Sequence, residues 1–207
     1  MTHRFADIAF TPAVQEQQRR HGSRAQYARM QAKAGPDDTL GAREAEYLEQ
    51  ADSFYMATVS ETGWPYVQHR GGPRGFLRAL SPTRIGFADF RGNVQYVSVG
   101  NATRNERVSI IVMDYVERQR LKLLGTLRFI DVGEADPDLV RRVELPGYQA
   151  RVERVALIDV VAFDWNCPQH ITQRLTLEEI DAAVHPLRER VARLEEALRA
   201  AGLAVPE

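Results

Sequence analysis

The feature that most constrains this chain is a series of β-rich runs without a regular alternation of strands and helices. Several runs are apolar on consecutive residues, as in VSIIVM at 108–113 and VALIDVVAF at 155–163. Strands with two apolar faces are typical of a sheet that curls around a filled interior. A doubly wound dinucleotide fold requires βαβ repeats, so the pattern argues against it. The predicted strands are Phe54–Ser60, Pro65–Arg70, Phe76–Leu80, Arg84–Asp89, Val108–Tyr115, Leu121–Val132 and Val155–Trp165.

Helices are expected on both sides of this series and within two of its connections. Thr11-Pro12 predicts a helix cap followed by proline at the first helical position, and Gly35-Pro36 ends the segment that follows. A further helix is expected over Leu40–Gln50, and shorter ones over Asn93–Gly100 and Asp136–Glu144. The predicted fold class is therefore mainly β with flanking helices (α+β), built on a small β-barrel.

The C-terminal segment carries an apolar seam at coiled-coil spacing. Thr176 and Glu179 stand at capping-box spacing and predict the start of a helix. Six apolar residues then alternate in steps of four and three, an a/d pattern over about three heptads that Pro186 interrupts. The helix either docks on its own domain or forms an intersubunit contact. The seam residues are Ile180, Val184, Leu187, Val191, Leu194 and Leu198.

We expect the whole chain, 1–207, to form a single domain. It contains no internal repeat or low-complexity stretch. It comprises N-terminal helices (1–52), a barrel core (53–175) and a C-terminal helix (176–207). A chain of this length buries roughly 70% of the surface that its unfolded form exposes, so it can build a substantial core.

The composition limits the partners of the chain. With 27 Lys+Arg against 28 Asp+Glu, there is no global basic field to hold nucleic acid or an anionic membrane. The N-terminus is not a signal peptide, and no apolar stretch reaches the ~18 residues that a membrane span needs. The single cysteine, Cys167, excludes an intrachain disulfide and a thiolate metal cluster. We expect a cytoplasmic protein that binds neither nucleic acid nor a membrane.

Motifs of several enzyme classes are missing from the sequence. It has no GxxxxGK[ST] phosphate loop, no HExxH zinc pair and no GxSxG nucleophile elbow. The five histidines show no metal-ligand spacing, so no metal site is expected. Cys167 has only His170 near it in sequence as a base, and thiol catalysis is not expected. Gly71–Gly75 joins two predicted strands without opening a helix, which favours a plain strand connection over a phosphate loop.

One segment does predict an anion site. Residues 87–93 (FADFRGN) run from a strand end through a turn into a helix expected to start near Asn93. Helix N-termini present unpaired N–H groups and a partial positive charge, which together bind phosphate. Arg91, Asn93 and Gln95 stand where their side chains would add donors. The alternative is an ordinary cap between a strand and a helix.

Four segments occur in an order and at a spacing shared with a known superfamily. The segments are Phe54–Ser60 with Gly63–Arg70, Gly86–Gln95, Arg107–Gly125, and Trp165–Arg174. Over roughly residues 45–175, the chain resembles the pyridoxamine 5′-phosphate oxidase-like superfamily of FMN-binding split β-barrels. The resemblance implies a split β-barrel with N- and C-terminal helices.

The resemblance also implies that FMN is bound between the two subunits of a homodimer. In that arrangement the second predicted strand lies along the flavin, and the turn after Asp89 holds the phosphate. Gln119, Trp165 and Arg174 are then expected to come from the partner of the subunit that holds the phosphate. The cofactor-binding residues it implies are Gln68, His69, Arg70, Gly71, Asp89, Arg91, Asn93, Gln95, Gln119, Trp165 and Arg174.

Five of these residues also have a purely structural interpretation. The alternatives are a solvent-facing position for Gln68 and His69, a cap of the turn at 90–92 for Asp89, an ion pair with Glu178 or Glu179 for Arg174, and a core position for Trp165.

The chain departs from the vitamin-making oxidases of the superfamily at three places. Their flavin strand reads Arg-x-Val-Leu-Leu-Lys, whereas residues 68–73 of this chain read QHRGGP. Their phosphate turn carries an Arg-Lys pair where this chain has Val94-Gln95, and Arg70 or Arg91 would have to offset the missing charge. Their Arg-Leu-His substrate motif is absent between Trp165 and Arg174. Oxidation of pyridoxamine phosphate is therefore not expected, and the chain resembles an uncharacterised branch.

The resemblance implies an FMN-dependent oxidoreductase that exchanges a hydride at flavin N5 with a small molecule or a reduced nicotinamide. The sequence identifies no catalytic residue, and His69 and Arg70 are the candidates nearest the ring. One alternative is a flavin-binding carrier or sensor without turnover. Another is a haem- or deazaflavin-binding relative, with His69, His170 or His185 as the haem ligand.

Overall fold

The computed structural model describes residues 3–33, 39–165 and 169–205. Gly35-Pro36 and Cys167 lie outside the described residues. The strands are β1 (Ser53–Val59), β2 (Pro65–Gly71), β3 (Leu77–Ser81), β4 (Arg84–Phe90), β5 (Arg107–Asp114), β6 (Gln119–Asp131) and β7 (Val152–Trp165). The helices are α1 (His3–Ala9), α2 (Pro12–Arg20), α3 (Arg24–Lys33), α4 (Ala42–Gln50), α5 (Val97–Arg104), α6 (Pro137–Val143) and α7 (Leu177–Ala200).

The strands form one antiparallel sheet that curls on itself. Its order is β2-β1-β5-β6-β7-β4-β3, so three strands separate β1 from β4. In a flat sheet these two strands would be about 19 Å apart. The centroid of the Phe54 ring on β1 nevertheless lies 5.2 Å from that of Phe87 on β4. The two ends of the sheet therefore share one core, as the expected split barrel requires.

An irregularity in the two longest strands contributes to this curl. The register of β6 against β7 shifts between Leu124 and Gly125, and such bulges bend and twist a strand. A Cβ atom at Gly125 would lie 2.5 Å from the carbonyl oxygen of Asp159 on β7. Only glycine allows the two backbones to approach this closely.

The predicted strands are confirmed, with ends that move by three residues at most. The helices predicted over Leu40–Gln50 and Asp136–Glu144 are α4 and α6. The prediction that a helix starts near Asn93 is wrong, because α5 begins at Val97. Val94 and Tyr96 have φ angles of 55° and 53°, which are incompatible with an α-helix, so a loop precedes α5.

Both predicted helix caps are confirmed. The Thr11 hydroxyl accepts from the Val14 amide at 3.4 Å. At the start of α7, the Glu179 amide donates to the Thr176 hydroxyl and the Thr176 amide donates to the Glu179 carboxylate. Pro186, which was predicted to interrupt the apolar seam, lies inside α7, and the helix continues on both sides of it from Leu177 to Ala200. In the described part of the chain, no helix is long and apolar enough to cross a membrane.

Candidate functional site

A cavity of about 210 Å³ opens between β2, the end of β4 and the start of α5, and we refer to it as the β2–α5 cavity. Burial alternates along β2, so every second side chain points inward. The loop before α5 closes the other side. Five of the residues that were predicted to bind the cofactor line the cavity: Gln68, Arg70, Asp89, Asn93 and Gln95.

A buried carboxylate holds two guanidinium groups in this cavity. Asp89 is only 2% exposed, and it accepts from Arg70 Nη1 at 2.5 Å and from Arg154 Nε at 2.8 Å. Arg154 stands directly opposite Asp89 on β7 and also pairs with Glu153. Although burial alone would lower it, the pKa of Arg154 is raised, because its guanidinium donates to both carboxylates. Asp89 therefore organises two cations rather than capping the turn at 90–92.

The Arg70 side chain is incompletely satisfied. Its Nε is buried and has no hydrogen-bond partner among the described residues, whereas its Nη1 is held by Asp89. The guanidinium lies 5.9 Å and 6.0 Å from the ring centroids of Phe87 and Phe129, so apolar surface surrounds it. A buried donor without a partner is rare in folded proteins, and this one belongs to a residue that lines the cavity.

The start of α5 adds backbone donors to the cavity. Its N-cap residue, Tyr96, makes no capping hydrogen bond with its side chain, so capping satisfies none of the first N–H groups of the helix. Ser98 in the first turn is buried and donates through its hydroxyl to Gln68 Oε1 at 2.8 Å. This bond fixes Gln68 on the inner face of β2, not in solvent.

Two of the predicted phosphate ligands differ in their surroundings. Asn93 lines the cavity, and its Oδ1 accepts from the Gln95 amide at 3.3 Å. Arg91 is exposed and lies outside the cavity lining, with its Nε 3.7 Å from the Glu153 carboxylate. The structure thus places Arg91 against a carboxylate and leaves the cavity to Arg70 and Arg154.

Two further predicted residues lie on the outer face of β2. His69 is exposed, and its ring lies 5.6 Å from that of Tyr55 on the neighbouring strand. Gly71, two residues on, ends the strand on the same face. These residues are separated from the β2–α5 cavity by the sheet itself, because successive side chains of a strand point to opposite faces.

A second cavity, of about 380 Å³, lies between the β5–β6 hairpin and the segment that leads into α7, and we refer to it as the hairpin cavity. Arg174 lines it, with the guanidinium 4.5 Å from the ring centroid of Tyr115 and no ion pair with Glu178 or Glu179 among the described contacts. The pKa of Tyr115 is raised by burial and then by the neighbouring Tyr55 phenol. The positive charge of Arg174 offsets part of this increase.

The other two candidates from this end of the chain pack against α4. The Gln119 carbonyl accepts from the Tyr47 hydroxyl at 3.1 Å. The Trp165 indole donates to Glu44 at 2.7 Å, and Tyr47 packs edge-on against its ring at 4.6 Å. In its own subunit, Trp165 is therefore an anchor for α4.

Sequence reasoning missed the partners that complete the β2–α5 cavity. Arg154, Glu153, Tyr96 and Ser98 all line it. Arg154 lies 65 residues from Asp89 in the chain, and only the register of β4 against β7 brings the two together. Of the three histidines considered as haem ligands, none lines either cavity in the described part of the chain.

The curled antiparallel sheet, flanked by helices at both ends, defines the chain as a split β-barrel protein. It belongs to the pyridoxamine 5′-phosphate oxidase family, because the family model of that description matches residues 40–157, more than half of the chain. The matched segment runs from just before α4 into β7 and includes the main residues of the β2–α5 cavity. Trp165 and Arg174 lie beyond it.

Several solved structures are similar to the chain at low sequence identity. HupZ of Group A Streptococcus is 14% identical, with a TM-score of 0.50 over 66% of this chain and 100% of that chain. An FMN-binding protein from Syntrophomonas wolfei is 12% identical, with a TM-score of 0.46 over 71% of this chain and 96% of that one. A pyridoxamine 5′-phosphate oxidase-related, FMN-binding protein from Nostoc punctiforme is 16% identical, with a TM-score of 0.45 over 61% and 84%. No curated protein matches the sequence.

Proposed function

We propose that the protein is an FMN-binding flavoprotein that holds the FMN phosphate in the β2–α5 cavity. The observation that carries the proposal is the buried, unpaired Nε of Arg70 beside the cavity. Leaving a buried donor unpaired costs about 1–3 kcal/mol. A phosphate oxygen that accepts from this Nε would remove the cost, and the residues present therefore fit the group.

The charges of the cavity favour a phosphate that is bound reversibly. Arg70 and Arg154 are balanced by Asp89 and Glu153, so the side chains alone supply little net attraction. The start of α5 adds a partial positive charge and uncapped N–H groups, and with these the cavity favours an anion. Because Val94-Gln95 replaces an Arg-Lys pair, we expect part of the FMN to be lost during purification.

We further propose that the site is completed in a homodimer. Trp165 packs against α4, and Arg174 lines the hairpin cavity, so neither lines the β2–α5 cavity of its own subunit. Gln119 and these two residues would then contact a flavin that is held by the other copy. β2 is an edge strand of the sheet, and its free edge at His69–Gly71 would lie along the ring.

We propose that the bound flavin serves an oxidoreductase reaction with a small molecule or a reduced nicotinamide in the cytoplasm. The flavin supplies the hydride exchange, while the chain binds and orients it and tunes its potential through donors to the ring. The amides around His69–Gly71 and the Gln119 side chain are the proposed donors. No residue of the chain is assigned a proton-transfer role.

The test begins with an absorbance spectrum of the freshly purified protein from 300 to 600 nm. We expect flavin bands near roughly 375 and 450 nm, directly or after incubation with FMN, and release of FMN on denaturation. A protein that stays colourless in excess FMN would overturn the cofactor assignment. A Soret band that grows on haem addition would replace it with the haem alternative.

Turnover is tested separately on the FMN-loaded protein. Anaerobic addition of NADH or NADPH should bleach the band near roughly 450 nm, and readmitted oxygen or a quinone should restore it. Bound flavin that no reductant bleaches would favour the carrier or sensor and would leave the phosphate site intact.

A further inference from the structure

The long helix α7 carries an apolar seam that the described chain leaves largely uncovered, with only Val184 and Leu198 half-buried. No residue of α7 is buried. Ile180, Leu187, Val191 and Leu194 are 42%, 61%, 54% and 57% exposed. Large apolar side chains in one contiguous row on a helix mark an interaction surface. The alternative of a helix docked on its own barrel therefore has no support in the described part of the chain.

The start of α7 lies beside the barrel at one ion pair. The capping box of Thr176 and Glu179 closes its first turn, and the Glu179 carboxylate also lies 3.7 Å from the Arg74 guanidinium. Hydrogen bonds from Thr176, and then the charge of Arg74, lower the pKa of Glu179 and keep it ionised near neutral pH. The seam begins directly after this attachment.

The residue types in the seam specify a partner helix. Two of the three a positions of the heptad are valine (Val184 and Val191, with Leu198 as the third), and two of the three d positions are leucine (Leu187 and Leu194, with Ile180 as the third). β-branched residues at a with leucine at d favour parallel, two-stranded coiled coils. Pro186 falls at the c position, on the face opposite the seam, where its ring does not meet a partner helix.

The charges beside the seam favour a second copy in parallel register. In such a pair, the g position of one helix faces the e position of the next heptad of the other. Arg190 stands at g and Glu195 at e, so each helix brings an arginine to the glutamate of its mate, twice by symmetry. Within the described residues, no carboxylate pairs with Arg190, whereas Glu195 accepts from Arg199 at 3.0 Å.

The outer face of α7 argues against a lipid surface as the partner. Outside the seam, α7 carries both signs of charge, as in the pair of Arg193 with Glu189 on the outer face and the pair of Arg188 with Asp181 at e positions. A helix that lies on an anionic membrane has instead a polar face rich in lysine and arginine.

We propose that α7 pairs with α7 of a second copy of this chain as a parallel, in-register, two-stranded coiled coil. The contact depends only on α7, and it is independent of whether the barrel binds FMN. The two-fold axis of the pair would run along the helices, and both barrels would be attached at the N-terminal end of the coiled coil.

The test is cysteine cross-linking in the full-length chain with Cys167→Ser as the background. Leu187→Cys and Leu194→Cys place single thiols at two d positions, about 10 Å apart along the helix. In a parallel pair each thiol meets its own equivalent, so both variants should form covalent dimers under mild oxidation. An antiparallel pair brings at most one of the two positions against itself.

Ala182→Cys, at the outer f position of the same helix, is the matched control and should stay monomeric on a non-reducing gel. Cross-linking at only one d position, at neither, or equally at the f position would overturn the proposal. Because all three sites are exposed, these variants should leave the barrel folded, which thermal unfolding will verify.

A charge exchange tests the register without a cross-linker in the interface. In the Leu194→Cys background, Arg190→Glu should slow dimer formation several-fold, and adding Glu195→Arg should restore it. No recovery in the combined variant would overturn the parallel register. Flavin absorbance is recorded on the same samples. Loss of cross-linking while flavin stays bound contradicts only the α7 pairing. Loss of flavin while cross-linking persists contradicts only the cofactor assignment.

Discussion

Arg70 and Asp89 form a hydrogen-bonded ion pair across the opening of the barrel, with Arg70 Nη1 2.5 Å from Asp89 Oδ1. Four strands separate β2 from β4 in the sheet, so this pair joins segments that no backbone ladder connects. Arg154 reaches the other oxygen of Asp89 from β7. The pair therefore closes the barrel and forms the floor of the β2–α5 cavity, which links stability to ligand binding.

Asp89→Asn should destabilise the protein strongly. The substitution leaves the guanidinium groups of Arg70 and Arg154 buried with no carboxylate between them. Breaking a buried ion pair on one side costs about 3–5 kcal/mol. Glu153 still pairs with Arg154, so the charge that is left without compensation is that of Arg70. Urea unfolding followed by circular dichroism should show this loss in the free energy of unfolding.

Asp159→Asn is the matched control for that variant. Asp159 also faces two arginines, Arg84 and Arg128, but its side chain is 39% exposed and water can replace the partners. Its substitution should cost about 1 kcal/mol or less. Equal losses for the two aspartates would contradict the role assigned to the buried pair.

Arg70→Lys should weaken FMN binding while it retains the positive charge. Lysine can still pair with Asp89, but it lacks the Nε donor that is unpaired in the free protein. A hydrogen bond to a charged group contributes about 1.5–3 kcal/mol, which corresponds to roughly 10- to 100-fold in the dissociation constant. Fluorescence titration with FMN measures the change.

The control is Arg104→Lys at the far end of α5, where the arginine is exposed and pairs loosely with Glu61 at 3.8 Å. FMN should bind this variant as it binds the wild type. An unchanged dissociation constant for Arg70→Lys would mean that the phosphate lies elsewhere and that the unpaired donor has another function.

The strands, the caps and most helix bounds could be predicted because they depend on local pattern. The exception is the start of α5, where positive φ angles at Val94 and Tyr96 delay the helix by four residues. Neither residue is a glycine, so composition gave no sign of the left-handed backbone. The sequence therefore located the turn before α5 but not its geometry.

The candidate site was predicted only where its residues are close in sequence. Gln68 and Arg70 share one face of β2 and could be chosen from strand periodicity together with the family resemblance. Arg154 could not, because its meeting with Asp89 depends on the pairing of β4 with β7. Arg91 illustrates the opposite case. The sequence places this cation beside the predicted phosphate turn, but in the structure its side chain lies against Glu153.

Tyr47→Phe should reduce stability at neutral pH by an amount that shrinks in alkali. The hydroxyl donates to the carbonyls of Val112 and Gln119, and its loss should cost about 1–3 kcal/mol. Burial, and then the Asp114 carboxylate, raise the pKa of Tyr47 well above its ordinary value. Above about pH 10 the phenol is ionised in the unfolded chain but not in the folded one, so unfolding releases a proton. The free energy of unfolding of the wild type therefore falls as pH rises, whereas that of the variant lacks this effect.

Urea unfolding of both proteins at pH 7, 8.5 and 10.5 measures the difference. The gap in unfolding free energy should be the same at pH 7 and 8.5, which both lie below the ordinary tyrosine pKa of about 10, and smaller at pH 10.5. A gap that widens in alkali would mean that the folded state favours the ionised phenol.

Gly125→Ala should test whether the bulge between β6 and β7 is needed for the closed barrel. A Cβ there would lie 2.5 Å from the Asp159 carbonyl oxygen, and a backbone atom cannot move aside as a flexible side chain can. We expect a loss of about 1–3 kcal/mol in thermal or urea unfolding. Gly133→Ala is the control, since a Cβ at that turn meets no atom within 4 Å and should change stability little. If both variants unfold alike, the strands can separate at the bulge without cost, and the curl of the sheet must be held by the Phe54–Phe87 core instead.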